Sequence, residues 1–123
     1  MAFVQQFVLS INCNASGDFS GKLPPGGSQL NGEIKDITLV VPAVNGVSNA
    51  AVEIVNSQTG ATILFASGIS NTTSWHPQQQ ACDSNGTPIV GSFLDFCAAF
   101  PILNIDVTGA GAGATGTLLL NIG

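Results

Sequence analysis

The last 20 residues, NIDVTGAGAGATGTLLLNIG (residues 104–123), decide between two fold classes. Gly111, Gly113 and Gly116 follow an apolar, strand-like run in the order G-x-G-x-x-G, the spacing of a dinucleotide-binding turn. Such a turn needs a helix that begins at the glycines and binds the pyrophosphate, and an acidic residue about 20 positions later for the ribose. Only TLLLNIG (117–123) follows, which alternates like a strand and contains no acid. The stretch therefore predicts β structure and argues against a nucleotide site.

We interpret the same stretch as a C-terminal β-hairpin with strands at about 102–108 and 115–122. Glycine adopts positive φ at little cost, so GAGAGATG suits a turn, and its small residues would also let another chain approach closely. The hairpin interpretation predicts that three apolar residues of the first strand pair with three of the second. These residues are Leu103, Ile105 and Val107, and Leu118, Leu120 and Ile122.

Other short strands are predicted along the rest of the chain. Residues 2–12 alternate, with Phe3, Phe7, Leu9 and Ile11 on one face. Residues 33–41 place Ile37, Leu39 and Val41 on one face, and Ile34, Asp36, Thr38 and Val40 on the other. Residues 50–56 place Val52 and Ile54 inward and Glu53 outward, and a tight turn at 57–60 joins them to a return strand at 61–66.

The segments between these strands have the composition of turns and loops. Residues 13–32 contain Pro-Pro, Gly-Gly and Asn-Gly and are predicted as one long loop, and DSNGTP (83–88) is predicted as a turn. A short strand is expected around 72–76, ended by Pro77. SFLDFCAAF (92–100) has helical apolar spacing before Pro101, so one or two helical turns or an irregular apolar loop are the alternatives there.

These signals predict an all-β fold. Seven or eight short strands separated by turns, with little or no helix and no crossover helices, indicate an antiparallel β-sandwich or jelly roll. The length of 123 residues corresponds to a single domain covering residues 1–123, which is long enough to bury a core without disulfides or metal.

The charge content is unusually low. Only 7% of residues are charged, against about 25% in a typical protein. The bases are Lys22 and Lys35, and the net charge is −5. A surface with so little charge favours a protein that is covered in its working state by copies of itself or by a larger assembly, the alternative being a secreted protein with a neutral surface.

The same charge balance argues against two classes of partner. Nucleic-acid binding and attachment to anionic membranes both rest on Lys and Arg, so neither is expected. No apolar run approaches the roughly 18 residues of a membrane span. The chain starts at Met1 without a basic, continuously apolar leader, so we expect synthesis in the cytoplasm rather than secretion.

No motif predicts catalysis, a cofactor or a metal, and we expect that the protein is not an enzyme. Ser74 and His76 could form a nucleophile and base, but they are two residues apart on a strand and no third group orients them. Asp83 begins a calcium-like DSNG, but the glycine is too early and the closing Glu is missing, which favours a turn. A zinc site from His76, Cys82 and Cys97 would have irregular spacing and no evident fourth ligand.

The remaining special residues favour packing roles. The cysteines are Cys13, Cys82 and Cys97, an odd number without C-x-x-C spacing. Buried reduced thiols are the favoured interpretation, and a disulfide between Cys82 and Cys97 is the alternative. Trp75, the one tryptophan, is expected in the core or an interface, with a sugar-stacking platform as the alternative.

Residues 33–122 resemble small structural proteins encoded among the head genes of tailed bacteriophages. The similarity follows the order GEIKDITLVVPAV, NAAVEIVNSQTGATILFASG, TSWHPQ and LNIDVTGAGAGATGTLLLNI. It consists of a strand ending in a proline-bearing loop, a hairpin, a short strand ending in an aromatic and proline, and a Gly/Ala-rich hairpin that finishes with alternating Leu or Val. The matching positions are Val52, Ile54, Thr59, Gly60, Ile63, Leu64, Trp75 and Pro77. Those proteins usually carry more charge, and the Pro-Pro/Gly-Gly loop at 24–27 has no counterpart.

The resemblance implies a virion structural protein, most simply a capsid decoration or cement protein that binds between major capsid subunits and stabilises the head. It further implies a homotrimer or another homo-oligomer on the capsid surface, and supplies no catalytic residues. The alternatives are a tail, neck or fibre module of the virion, and a carbohydrate-binding or adhesin-like β-sandwich.

Overall fold

The computed structural model describes residues 5–23, 31–43, 49–99 and 103–123, and within them the chain forms strands and turns without a helix. Eleven strands follow one another within these described ranges. They are β1 (Gln5–Asn12), β2 (Phe19–Leu23), β3 (Asn31–Ala43), β4 (Ala50–Asn56), β5 (Thr62–Ile69), β6 (Thr73–Trp75), β7 (Gln78–Cys82), β8 (Pro88–Asp95), β9 (Cys97–Ala99), β10 (Leu103–Thr108) and β11 (Thr115–Ile122). The predicted all-β antiparallel sandwich is confirmed, with more strands than the seven or eight expected.

Two antiparallel sheets form the sandwich. Sheet A has the order β1-β11-β3-β6, with β9 also paired to β3, and sheet B has the order β2-β10-β4-β5. A separate two-stranded sheet consists of β7 and β8. Consecutive strands in the chain often lie in different sheets, so most of the stabilising pairings join distant parts of the sequence.

The core is an aliphatic layer between sheets A and B. Sheet A contributes residues such as Ile37 and Leu118, and sheet B contributes residues such as Ile54 and Ile105, all of them essentially inaccessible to solvent. The larger side chains, including Phe7, Phe19 and Trp75, are half-buried and pack against this layer from its margins. Alternation along each strand produces the layer, because every second side chain points between the sheets.

The predicted strands at 50–56 and 61–66 are confirmed as a hairpin. Val52 and Ile54 point inward and Glu53 points outward. The turn is closed by hydrogen bonds from the backbone N–H of Asn56 to the carbonyl of Ala61 and from Gly60 to Asn56. Gly60 adopts φ of 74°, the conformation that a tight turn requires of it.

The predicted C-terminal hairpin is wrong. Strand β10 pairs with β2 and β4 in sheet B, whereas β11 pairs with β1 and β3 in sheet A. The apolar residues of the two strands therefore lie in opposite sheets of the core instead of pairing side by side. Residues 109–114 carry the chain from one sheet to the other, and the predicted strand at 115–122 is confirmed as β11.

The glycine-rich crossing packs against the turn that follows β1. The N–H of Ala110 donates to the carbonyl of Gly17, the N–H of Gly113 donates to Asn14, and the N–H of Cys13 donates to Ala114. Gly17 is buried and has φ of 79°, and a Cβ at this position would lie 2.6 Å from the backbone nitrogen of Gly111. The small residues of the crossing thus admit another segment of the same chain.

Three further sequence expectations are corrected. Residues 13–32 are not one loop, because Phe19–Leu23 form β2 and pair with β10. Ile34 is buried rather than on the outer face, because a register irregularity in the pairing of β3 and β11 turns it inward. Within residues 92–99, the end of β8 and all of β9 replace the predicted helical turn or irregular loop, because β9 can pair with β3. The predicted Phe3, Pro24–Gly27 and Phe100 lie outside the described residues.

A methyl group at Gly17 is expected to destabilise the fold far more than one at Gly113. Both glycines have positive φ, which costs an alanine about 1–2 kcal/mol. Only at Gly17 does the added Cβ also meet backbone, whereas nothing lies within 4 Å of one at Gly113. In urea unfolding, Gly17→Ala should lose at least about 3 kcal/mol and Gly113→Ala about 1 kcal/mol. Equal losses would contradict the close packing of the crossing.

Candidate interaction surface

A β-hairpin leaves the sandwich from one edge of sheet A. Strand β6 pairs with Ile37–Leu39 of β3, and β9 pairs with Asn31–Glu33 of the same strand, both antiparallel. Because β11 occupies the other edge of β3, β6 and β9 are two halves of one interrupted edge strand. The chain leaves that edge after Trp75 and returns to it at Cys97. We call the intervening β7–β8 hairpin, residues 78–95, the arm.

The arm is a short ribbon with a tight turn at its tip. Gln78 is opposite Asp95 and Gln80 is opposite Phe93, and the register is then irregular up to the pair of Cys82 and Pro88. At the tip, the Asp83 carboxylate accepts hydrogen bonds from the backbone N–H groups of Asn85 (2.9 Å) and Thr87 (3.0 Å). This confirms the predicted turn, and the carboxylate that suggested a calcium loop is used to close it.

The arm exposes several large apolar side chains to solvent. Val90 is 93% exposed, and Phe93 and Leu94 are 54% and 56% exposed. Phe93 and Leu94 are consecutive in a strand, so they point to opposite faces of the ribbon. Ile89 is also exposed, whereas β7 is polar, with the sequence QQQAC. A two-stranded ribbon is marginally stable in water by itself, so an apolar one requires support.

Support at the base of the arm comes from Asp95, the last residue of β8. One carboxylate oxygen, Oδ2, accepts a hydrogen bond from Lys35 Nζ on β3 at 3.0 Å. The other, Oδ1, accepts one from Gln78 Nε2 at 2.9 Å and lies 2.8 Å from His76 Nε2. Asp95 is only 13% exposed as a side chain, so these contacts tie both strands of the arm to the sandwich in a largely enclosed position.

The contacts at the base of the arm also determine the protonation states of Asp95 and Lys35. Hydrogen bonds from Gln78 and Lys35, followed by the contact with His76, hold the pKa of the Asp95 carboxyl well below its ordinary value. Hydrogen bonds to Glu33 and Asp95 raise the pKa of Lys35. Asp95 is therefore an anion, and Lys35 a cation, across the neutral pH range.

A second exposed feature lies on the outer face of sheet B. Asp106 and Glu53 are directly opposite each other across β10 and β4, and Phe65 is the next residue in the row, on β5. Phe65 is 63% exposed and lines a shallow groove together with the two carboxylates. Among the described residues, no cationic group lies within ion-pair distance of either carboxylate.

The residues considered for catalysis or zinc binding do not form a common site in the described part of the chain. Ser74 Oγ lies 2.7 Å from Thr38 Oγ1, whereas His76 contacts Asp95, so Ser74 and His76 do not contact each other as nucleophile and base. His76 is at the base of the arm and Cys82 at its turn end. Within the described part of the chain, no group of three His, Cys, Asp or Glu side chains could hold a metal ion.

The cysteine and tryptophan expectations are met in part. Cys13 is buried and free, and burial raises its pKa. Cys82 is exposed rather than buried, because the arm stands outside the core, and it forms no disulfide. The side chain of Cys97 lies outside the described residues. Trp75 is half-buried against the core, as the packing interpretation predicts.

Sequence reasoning predicted the turn at 83–88 but missed the two strands, β7 and β8, that make the arm a hairpin. The available signal was the mismatch between its two strands, because an apolar strand, PIVGSFLD, follows a partner rich in glutamine. A hairpin buried in a sandwich core would carry inward apolar residues on both strands. Along the described residues there is no helix of the length and apolar character that would cross a membrane.

Comparisons with known proteins leave the family open. No family model and no curated protein matches the sequence. Among solved structures, the mitogen derived from Yersinia pseudotuberculosis is 9% identical with a TM-score of 0.48, and the match covers 99% of this chain and 86% of that one. The structure of infectious bursal disease virus strain Gx is 15% identical with a TM-score of 0.29, and covers 96% of this chain and 32% of that one.

A mutant VP2 protein of infectious bursal disease virus, in particles derived from it, is 14% identical with a TM-score of 0.28. That match covers 96% of this chain and 32% of the other, so the chain spans about a third of these viral proteins. At such identities and TM-scores, the similarities assign neither a family nor a function.

Loss of the Asp95 charge is expected to loosen the arm in a pH-dependent manner. Because the pKa of Asp95 is lowered by the folded contacts, its stabilisation is complete above the ordinary aspartate pKa of about 3.9 and declines as the pH falls below it. Hydrogen exchange of arm amides in Asp95→Asn should therefore be faster than in the parent protein at pH 5–7, and the difference should shrink below pH 4.

Glu33→Gln is the matched control. Glu33 accepts a hydrogen bond from the same Lys35 at 3.0 Å, but it belongs to β3 and is 52% exposed. Its substitution should leave exchange in the arm nearly unchanged, because exposed ion pairs contribute little. Equal acceleration by both substitutions, or a difference that does not depend on pH, would show that Asp95 does not hold the arm.

Proposed function

We propose that this chain is a non-catalytic structural protein of a virion, namely a decoration or cement protein on the head of a tailed bacteriophage. The observation that carries the proposal is the arm, which presents apolar side chains on both of its faces, outside the core between sheets A and B. Exposed apolar surface of this kind marks an interaction site in a soluble protein. A cement protein needs such a site, because it works by burying surface between neighbouring subunits.

The composition supports the same role. With charged residues at 7% of the chain, most of the surface is uncharged, and such a surface is suited to permanent cover in an assembly. The resemblance of residues 33–122 to head-gene proteins of tailed phages supports the head as the proposed location. In this proposal, the protein is made in the host cytoplasm and joins the major capsid protein on the outer shell, as a homo-oligomer.

The groove on the outer face of sheet B suits contact with the major capsid protein, as distinct from contact between copies of this chain. Glu53 and Asp106 are like charges in direct cross-strand contact, which is unfavourable until a cation is near. Lys35 is already paired with Glu33 and Asp95, and Lys22, the other base, lies on this same face on the neighbouring strand β2, where it forms no ion pair with either carboxylate. Basic residues of a shell subunit would complement this face.

The sugar-binding alternative loses its main support. Trp75, the residue on which that alternative rested, is half-buried against the core, and the exposed aromatic residue of the groove is Phe65 instead. A tail, neck or fibre module would also need exposed apolar surface. The experiment below distinguishes this competing role from the decoration role.

Cryo-electron microscopy of particles from the virus that encodes this chain is expected to show the sandwich on the outside of the head, at junctions between capsomers. Mass spectrometry of the purified particles should detect the chain in many copies. Density for the sandwich in the tail or neck would replace the decoration role by the competing one, and absence from the particle would contradict a virion role altogether.

A further inference from the structure

We propose that the arm is a self-association site, at which the arm of one copy packs against the arm of a second copy around a twofold axis. The occupant of the exposed apolar surface is therefore this same chain. The inference rests on the arm as the interaction element in the proposed function, and it names the partner of that element. Two observations select a second copy, the distribution of charge and the area available.

The charge distribution favours contact between arms over contact between other faces. Each copy carries a net charge of −5, so two copies repel each other wherever their acids meet. The outer face of sheet B presents two acids, Glu53 and Asp106, against the one lysine Lys22. Strand β3 presents Asp36 and Glu33, and its one lysine, Lys35, is shared between Glu33 and Asp95. In contrast, the arm contains no charged residue between Asp83 at its tip and Asp95 at its base. Asp95 is compensated by Lys35, so two arms can meet without opposing free carboxylates.

The orientation follows from the same charges. In an antiparallel pair of β8 strands centred on Phe93, the two Asp95 residues lie four residues apart, about 13 Å, which exceeds the screening length at physiological salt. A parallel pair would place the two Asp95 residues on neighbouring strands, about 5 Å apart. The antiparallel arrangement also brings the two Phe93 rings into cross-strand contact, which is a favourable aromatic pair. A twofold axis produces this arrangement, because it makes the two contacting surfaces identical.

The exposed area is sufficient for a specific but weak contact. Ile89, Val90, Phe93 and Leu94 are 46–93% exposed, which corresponds to roughly 400 Å² of apolar surface on each arm. Because these side chains lie on both faces of the ribbon, pairing along the edge of β8 buries only part of this surface, so the contact falls below the roughly 1,000 Å² of a stable interface and is a weak one. A paired ribbon would have four strands, which is enough for stability that a single hairpin lacks.

Analytical ultracentrifugation of the full chain over a range of concentrations tests the proposal. We expect a monomer–dimer equilibrium that the double substitution Val90→Ser, Phe93→Ser weakens by about tenfold or more, since it removes apolar surface from the contact. Phe65→Ser is the matched control, because Phe65 is as exposed as Phe93 but lies on the outer face of sheet B. This control should keep the dimerisation constant within about twofold.

Hydrogen exchange on the unmodified chain provides a second test that needs no variant. Amides of 88–95 should become more protected as the concentration rises, while amides of 62–69 in β5 should not change. A chain that remains monomeric at all concentrations, or a dimer that weakens equally with Phe65→Ser, would overturn the proposal. A monomeric chain found on the capsid would overturn arm pairing alone, and a dimer absent from the particle would overturn the decoration role alone.

Discussion

The aliphatic layer between the two sheets is the interaction on which the rest of the structure depends. With two lysines and seven acids in the whole chain, ion pairs can contribute little, and burial of side chains such as Ile37, Ile54, Ile105 and Leu118 must stabilise the fold. The described part of this layer contains no fully buried aromatic residue, so it is thin and regular. It can exist only if both sheets keep their register, because a shift of one residue would turn each apolar face outward.

The glycine-rich crossing meets this requirement at one end of the sandwich. It takes the chain from β10 in sheet B to β11 in sheet A within six residues, 109–114. Because Gly17 and Gly111 lack side chains, the crossing can pack onto the turn after β1 and exchange backbone hydrogen bonds with it. This contact connects β1, β10 and β11 and so links the two sheets. The small residues that resembled a phosphate-binding turn are explained by packing within the chain.

Sequence reasoning succeeded where one strand determined its own pattern and failed where two distant segments had to meet. The alternation of apolar and polar residues correctly identified the strand at 50–56 with its inward Val52 and Ile54. Burial of one face of a strand is visible in that strand's own sequence. The pairing partners of β10 and β11 were misassigned, because a short glycine-rich connection suits a hairpin and a sheet-to-sheet crossing equally well. Ile34 was placed on the wrong face, since a register irregularity interrupts the period of two.

The arm shows why the site was harder to predict than the fold. Its strands have ordinary β sequences, and nothing in PIVGSFLD distinguishes a core strand from an exposed one. The distinction depends on Asp95, a single acid whose partners Lys35 and His76 are 60 and 19 residues away in sequence. That contact joins the base of the hairpin to β3, and the apolar residues beyond it lie outside the core. One of the two lysines of the chain contacts Asp95, and Val90 and Phe93 beyond this contact remain exposed to solvent.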